Sequence, residues 1–269
     1  MDFASWVHQP AKNRFIQPKN IEEIMQFFLR TLALGFFVGS TLFGSFAIAG
    51  MQEANDALEH KDYMKAYQEY LVLAMQDNAE AQNNLGALFA KGQGVPKNDQ
   101  EAVKWYSLAA EQGNATAQTN LGSMYINGRG VPKNYQEAIQ RYRLAASQNN
   151  AEAQYYLGMM YDNGLGVQKN YQEAIQWYRL AASQKNAEAQ NSLGIKYAMG
   201  EGVSKNLMLA YVLFNLSAAQ GDKMAIQNRE KLNLSPQQIS IAQNISSDIN
   251  ASKNFLKIFD LYSKYPVKK

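Results

Sequence analysis

The sequence predicts an all-α fold, a superhelical solenoid of helix-turn-helix units, on three observations. A block of 36 residues recurs four times without a gap, apolar residues recur within each block at helical spacing, and each block carries one glycine-rich turn at the same place. A lone hairpin of this size cannot bury its apolar face, so successive units must stack to make a continuous core.

The blocks occupy 79–114, 115–150, 151–186 and 187–222. The second, "ATAQTNLGSMYINGRGVPKNYQEAIQRYRLAASQNN", and the third, "AEAQYYLGMMYDNGLGVQKNYQEAIQWYRLAASQKN", agree at 27 of 36 positions, which rules out coincidence. Residues 50–78 hold a partial unit without the glycine turn, and 223–269 read as a degenerate unit followed by capping helices. In the first helix of the second copy, Ala117, Leu121 and Tyr125 form an i, i+4, i+8 stripe. Gly122 lies beside that stripe, where a missing Cβ admits the paired helix. Ala138, Tyr142 and Ala146 form the matching stripe of the second helix, widened by Ile139. Asn134 is placed to cap that helix, with Glu137 three residues later in capping-box spacing. Gly or Asn in "AEQGN" and "ASQNN" supplies a left-handed stop.

The turn itself reads GQGVPKN, GRGVPKN, GLGVQKN and GEGVSKN in the four copies. Seen once, two glycines and a lysine before a helix suggest a phosphate cradle. A nucleotide loop, however, follows a strand in an α/β setting. Four equal loops between helices instead mark a backbone requirement for positive φ, with Val131 as a plug.

Ala151, Ala153, Leu157, Gly158, Tyr161, Gly164, Gly166, Val167, Asn170, Ala174, Trp177, Tyr178, Ala181 and Ala182 carry a pattern that resembles the Sel-one-like repeat, a relative of the tetratricopeptide repeat. The resemblance covers 79–222. Arg141 and Leu213 stand where that family often has tryptophan, and Phe89 where it has tyrosine. The resemblance implies a right-handed α/α superhelix that acts as a scaffold for protein–protein contacts, without chemistry of its own. Some cysteine-rich members are linked to penicillin binding or hydrolysis; this chain has no cysteine, so that activity is not carried over.

Composition agrees with a non-enzymatic reading. A net charge of +3 from 26 basic and 23 acidic residues gives no electrostatic case for a nucleic-acid partner. Without cysteine there is no thiolate metal site, disulfide or cysteine nucleophile. Beyond the N-terminal segment the one histidine is His60, too few for a metal cluster or a triad. No GxSxG motif occurs, nor SxxK with a following KTG. No catalytic residue, cofactor or metal is expected, and a cell-wall or β-lactam hydrolase is the weakest alternative.

Thr31 to Ala49 is 19 residues without a charge, preceded by Arg30 and closed by the small-x-small triplet Ala47-Ile48-Ala49. This predicts a signal peptide over 25–49, with Met25 as its start and 1–24 as an extension outside natural translation. Its length also suits a retained membrane anchor over 31–49, the alternative reading. The expected location is the bacterial periplasm or cell envelope, or the exterior if the chain is secreted. It would act there as a soluble adaptor, a membrane-tethered adaptor or a host-interaction factor. In the tail 250–269, Phe255, Leu256, Phe259 and Tyr262 line one helical side beside five lysines. That side packs on the solenoid as a second cap, or meets a membrane surface or partner.

Packing fixes the stripe residues, so partner contacts are sought at positions that differ between copies. One such position reads Asn83, Thr119, Tyr155 and Asn191; another reads Ala87, Ser123, Met159 and Ile195. In tetratricopeptide-like stacking both face the concave side. Asn83, Thr119, Ser123, Tyr155, Met159, Asn191 and Ile195 are therefore the candidate contacts, with Tyr155 and Met159 as their centre.

Overall fold

The computed structural model describes residues 40–251 and 255–264. The N-terminal extension, the Met25 start and the beginning of the apolar run therefore lie outside the described residues. The chain divides into two units, Met1–Ala49 and Gly50–Lys269. Among the described residues there are thirteen helices and no strand, and no helix is long and apolar enough to cross a membrane. Helix α1 (Ser40–Glu59) is followed by α2 (Tyr63–Ala74). Four hairpins come next: α3 (Ala79–Lys91) with α4 (Asp99–Glu111), α5 (Ala115–Asn127) with α6 (Tyr135–Ser147), α7 (Ala151–Asn163) with α8 (Tyr171–Ser183), and α9 (Ala187–Met199) with α10 (Leu207–Ala218). The chain closes with α11 (Lys223–Glu230), α12 (Pro236–Ala251) and α13 (Phe255–Lys264). Each helix from α3 to α10 packs most heavily on its hairpin partner; α4 to α9 pack next on the neighbouring hairpin, α3 on α2 and α10 on α12, the arrangement of a capped solenoid.

Local chemistry starts the hairpin helices at the same place in each copy and stops them there to within one residue. Asn78, Asn114, Asn150 and Asn186 cap the first helices by accepting from the backbone N–H three residues on. Gly92, Gly128, Gly164 and Gly200 end them in the left-handed conformation. Asn98, Asn134, Asn170 and Asn206 cap the second helices. The capping box expected at Asn134 and Glu137 does not close reciprocally. The Asn134 N–H instead donates to the Tyr125 carbonyl at 3.0 Å, pinning the glycine turn to the first helix, and Glu137 turns to Arg141. The second helices end at residues with positive φ: Gly113, Asn149, Lys185 and Gly221. Lys185 shows that a non-glycine residue serves there as well.

Within each hairpin an aromatic ring presses on a glycine. A Cβ on Gly122 would lie 2.7 Å from the Tyr142 ring, and Gly86, Gly158 and Gly194 stand in the same relation to Tyr106, Tyr178 and Phe214. The expected stripes are largely buried around this contact: Ala117, Leu121, Ala138, Ile139, Tyr142 and Ala146 lie in the core, whereas Tyr125 is half-buried and Met124 beside it is the enclosed residue.

Two recurrent contacts join successive hairpins. A buried glutamine at the start of each first helix donates to a carbonyl near the end of the preceding second helix, as Gln118 Nε2 does to Ala110 at 3.2 Å. Its Oε1 accepts from the glutamine that ends its own hairpin, Gln148 Nε2, at 2.9 Å. The same relay runs through Gln82 and Gln112, Gln154 and Gln184, and Gln190 and Gln220. The second glycine of each turn lies against the N-terminus of the preceding second helix, Gly130 on the Asp99 carbonyl and Gly166 on Tyr135. The turn is thus a connector and also a stacking surface.

At the C-terminal end Ser235 and Gln238 close a capping box, at 2.9 and 3.3 Å, that starts α12. Helix α12 packs on α10 and buries Ala242, Ile245 and Ile249. Phe255 and Phe259 of α13 are buried in the same cluster, with Phe259 edge-on to Tyr197 at 5.5 Å and Arg179 paired with Asp260. Of the apolar residues named in the tail, Phe255 and Phe259 are thus buried against the solenoid, and Leu256 and Tyr262 are half-buried.

Gly130 has φ +71° and no room for a Cβ, whereas Gly113 has φ +87° and open space around it. Gly130→Val is expected to cost about 1–3 kcal/mol for the left-handed conformation, plus the clash with Asp99. Gly113→Asn should cost less than about 1 kcal/mol, since Asn tolerates that conformation. Urea unfolding of the two variants, compared with the parent chain, measures the difference.

Candidate functional site

The first helices expose one stripe, at positions i, i+4, i+7 and i+11. It reads Glu80, Asn84, Ala87, Lys91 in α3; Thr116, Asn120, Ser123, Asn127 in α5; Glu152, Tyr156, Met159, Asn163 in α7; and Glu188, Ser192, Ile195, Met199 in α9. Ser123, Met159 and Ile195 lie on this stripe and are half-buried. The other candidate position lies elsewhere. Asn83, Thr119 and Asn191 are only 7, 1 and 5% exposed. They sit at the seams between hairpins: Asn83 Oδ1 accepts from Asn120 Nδ2 at 2.9 Å, the Thr119 hydroxyl bonds Ala115 O and Asn150 Oδ1, and Asn191 Oδ1 accepts from Asn228 Nδ2 at 3.0 Å. These three are stacking residues, which corrects their assignment to a partner-facing surface. A 100° turn per residue puts the seam next to the exposed stripe, so spacing alone merges the two.

Tyr155 occupies the same seam position but is too large to be enclosed. Its ring lies 5.4 Å from Tyr156 and 6.0 Å from Tyr178, and Tyr156 stacks on Tyr142 at 5.0 Å. The result is an aromatic step on the exposed side of copies three and four, continued by Met159, Ile195 and the 65% exposed Met199. Burial raises the pKa of Tyr155, and the Glu188 carboxylate adds to it. Tyr156 is raised by burial and then by Glu152. Glu152 is raised by burial and then by Glu188. Negative potential therefore converges on the two rings.

A second cluster lies deeper. Lys196 is 6% exposed at a position that holds Leu88, Met124 and Met160 in the other copies. Its ammonium donates to Asp162 Oδ1 at 2.6 Å and Glu201 Oε2 at 2.7 Å, and lies 4.8 Å from the centre of the Tyr171 ring. Burial opposes its charge, yet the bonds to Asp162 and Glu201 outweigh this and hold its pKa above the usual lysine value. Lys196 in turn holds Glu201 below the usual carboxylate value. A charged residue at an apolar register is the sequence signal for this cluster, and it belongs to no catalytic motif. Arg129, at the loop position of Glu201, instead reaches back to Asp99 at 2.5 Å and the Ala90 carbonyl at 2.9 Å. Among the described residues no three metal-ligating side chains gather.

Residues 79–114, 115–150, 151–186 and 187–222 each match the family model described as Sel1 repeat, together more than half of the chain. The chain belongs to the Sel1 repeat family. A Sel1 repeat protein from Oxalobacter formigenes is 36% identical, over 75% of this chain and 84% of that one, with a TM-score of 0.61. The protein c5321, a protective antigen present in uropathogenic Escherichia coli strains and displaying an SLR fold, is 32% identical with a TM-score of 0.61. That match covers 81% of this chain and 48% of c5321, so the present Sel1 repeat chain spans about half of its length. A putative sel1 repeat protein from Klebsiella pneumoniae subsp. pneumoniae shares the fold at 19% identity and a TM-score of 0.50, over 72% of this chain and 96% of that one. None of the curated proteins matches the chain. Sel1 repeat proteins are typically non-catalytic scaffolds for protein–protein interaction.

Two comparisons within the Sel1 repeats test the buried polar groups. The Tyr178 hydroxyl donates to Asp162 Oδ2 at 3.3 Å, whereas the Tyr142 hydroxyl has no hydrogen-bond partner among the described residues, Ile126 standing where copy three has Asp162. Tyr178→Phe should cost about 1 kcal/mol, and Tyr142→Phe should be neutral or stabilising by up to about 1 kcal/mol, as read from denaturant midpoints. Lys196→Met strands two carboxylates and should cost about 2 kcal/mol at neutral pH, less than a fully buried pair because Glu201 is partly solvated. Adding Asp162→Ile and Glu201→Leu copies the apolar arrangement of units two and three and should restore all but about 1 kcal/mol of the loss, because the Tyr178 hydroxyl then lacks its acceptor. Since Glu201 titrates lower when folded, its contribution is complete above the ordinary glutamate pKa and disappears as pH falls through the depressed value. Thermal melts from neutral to acid pH should accordingly show a shallower decline in the Lys196→Met variant.

Proposed function

We propose that this protein is an exported, non-enzymatic adaptor of the bacterial cell envelope that binds a protein partner on the exposed stripe of its first helices. The observation that carries this reading is the contrast between positions. Residues that fold the unit recur every 36 residues, whereas the stripe changes from Asn84 and Ala87 to Asn120 and Ser123, then to Tyr156 and Met159, then to Ser192 and Ile195. Half-buried aromatic and methionine side chains that packing does not demand are the usual anchors of a protein interface. Family membership supports the interaction role. The charge-free run Thr31–Ala49 and its small-x-small end support export, with Gly50 as the first residue of the mature chain.

Crosslinking pull-down with the full chain in its native host tests the binding surface. Met159→Glu should abolish capture of a partner that the parent chain crosslinks, while Leu144→Ala, on an exposed second-helix position, should retain it; equal capture by all three rejects the surface. Export is checked by N-terminal sequencing after fractionation. A mature chain beginning at Gly50 is the expected result, and a cytoplasmic full-length chain refutes it.

A further inference from the structure

The chain's own tail shows what the seam between copies three and four binds. Arg179, from the second helix of copy three, and Tyr197, from the first helix of copy four, together hold α13. Phe259 is fully buried, its ring edge-on to Tyr197 at 5.5 Å and 5.8 Å from the Arg179 guanidinium. Asp260, the next residue, pairs with the same guanidinium. Phe255, one turn earlier, stacks on Phe259 at 5.3 Å. The ligand of this seam is therefore a phenylalanine and a carboxylate adjacent in sequence on a helix. Arginine suits that pair, because its guanidinium is attracted to the ring while its N–H groups donate to the acid.

One repeat back, the same two side chains recur without a tail over them. Arg143 and Tyr161 hold the equivalent positions between copies two and three. Arg143 is exposed, and its Nη2 donates to the Tyr161 hydroxyl at 2.9 Å. Tyr161 is half-buried, whereas Tyr197 beneath Phe259 is 6% exposed. A second observation marks the open seam: a hollow of about 400 Å³ lies at Tyr161, lined also by Val167, Gln168, Lys169 and Asn170. A cavity of roughly 150 Å³ already accepts a benzene ring. The seam between copies one and two has Ser107 in the place of the arginine and so lacks the cation. Of the two seams that carry both arginine and tyrosine, the tail fills one.

We infer that the Arg143–Tyr161 seam is a docking seat for a helical segment of a partner protein in which a phenylalanine is followed directly by aspartate or glutamate. The ring enters the hollow beside Tyr161, and the carboxylate takes Arg143 from the tyrosine hydroxyl, as Asp260 holds Arg179. Lys169 adds a second cation at the wall of the hollow. The charged half of the contact is exposed and weakens with salt; the buried ring supplies the rest. At roughly 100° per residue Tyr161 points away from Met159 on α7. The seat is therefore separate from the exposed stripe and goes beyond the adaptor reading.

A dye-labelled peptide with the sequence of residues 255–264, FLKIFDLYSK, titrated into the full chain and followed by fluorescence anisotropy, is the direct test. Saturable binding of one peptide per chain is the expected result. Arg143→Gln should weaken it about tenfold, as for loss of a charge-assisted contact. Lys104→Gln, an equal loss of charge at an exposed second-helix position, should leave it unchanged. Peptides carrying Asp260→Asn or Phe259→Ala should bind the parent chain about tenfold more weakly, and these changes leave the fold of the protein untouched. The Asp260→Asn peptide should lose nothing further against Arg143→Gln, the mark of a direct contact. Absence of binding overturns the inference. Equal affinity for Arg143→Gln and the parent chain also overturns it, since the peptide has then exchanged with α13 at Arg179. Equal weakening by Arg143→Gln and Lys104→Gln means attraction to net charge alone and overturns it too. A dimer of the parent chain that Arg143→Gln converts to monomer in sedimentation assigns the seat to a second copy and likewise overturns it. None of these outcomes bears on capture at the exposed stripe, which Met159→Glu tests.

Discussion

The structure depends on one close approach, an aromatic ring laid against a helical glycine in every hairpin. Tyr106 on Gly86, Tyr142 on Gly122, Tyr178 on Gly158 and Phe214 on Gly194 fill the space a Cβ would take. A side chain on the glycine would drive the two helices apart, and the distance between them sets what every other contact can reach. The glutamine relay illustrates the point. Gln118 must touch the end of α4 and accept from Gln148 at the end of α6 at the same time, and a glutamine has little length to spare. With the ring seated, the amide meets both; the buried polar group is satisfied and the hairpins come into register.

Upon this repeated frame the copies differ in ways that make the seams distinct. Between copies one and two an arginine from the turn meets Asp99. Between copies two and three the corresponding residue is Leu165, which packs in the apolar cluster and forms no ion pair there. Between copies three and four Lys196 enters a methionine position and brings two carboxylates with it. A buried ion pair contributes little net stability against a well-packed apolar pair, but it penalises any arrangement that separates its members. The exposed stripe varies independently of these seams, so a binding surface can change while the stack remains intact.

Most of the frame was legible in the sequence because it is repeated. The helix start at Asn134, the left-handed stops in "AEQGN" and "ASQNN", the positive-φ glycines of the turn and the packing stripes through Leu121 and Tyr142 all follow from local chemistry that recurs. The candidate site was legible only in part. Met159 and Ile195 do lie on the exposed stripe, but Asn83, Thr119 and Asn191 face the next hairpin, and variation between copies does not distinguish a seam that has found different hydrogen bonds from a surface that has changed its ligand. The relay glutamines recur at 82, 118, 154 and 190, but nothing in the spacing marks them as buried. Their partners are carbonyls of another unit, which no local spacing reveals. The exact role of Tyr155 required knowing that a seam too small for its ring would push it to the surface.

The Lys196 cluster bears on how such a gene changes length. Units two and three are near-identical, and unequal recombination between near-identical stretches adds or deletes whole units. Loss of unit three would join unit two directly to unit four, bringing Ile126 to the place of Asp162 beside Lys196. The ammonium would keep Glu201 and lose its more enclosed partner, and Glu152, Tyr155 and Tyr156 would vanish with the deleted unit. In such an array Lys196 would keep one carboxylate partner at a register that the other copies fill with Leu88, Met124 and Met160.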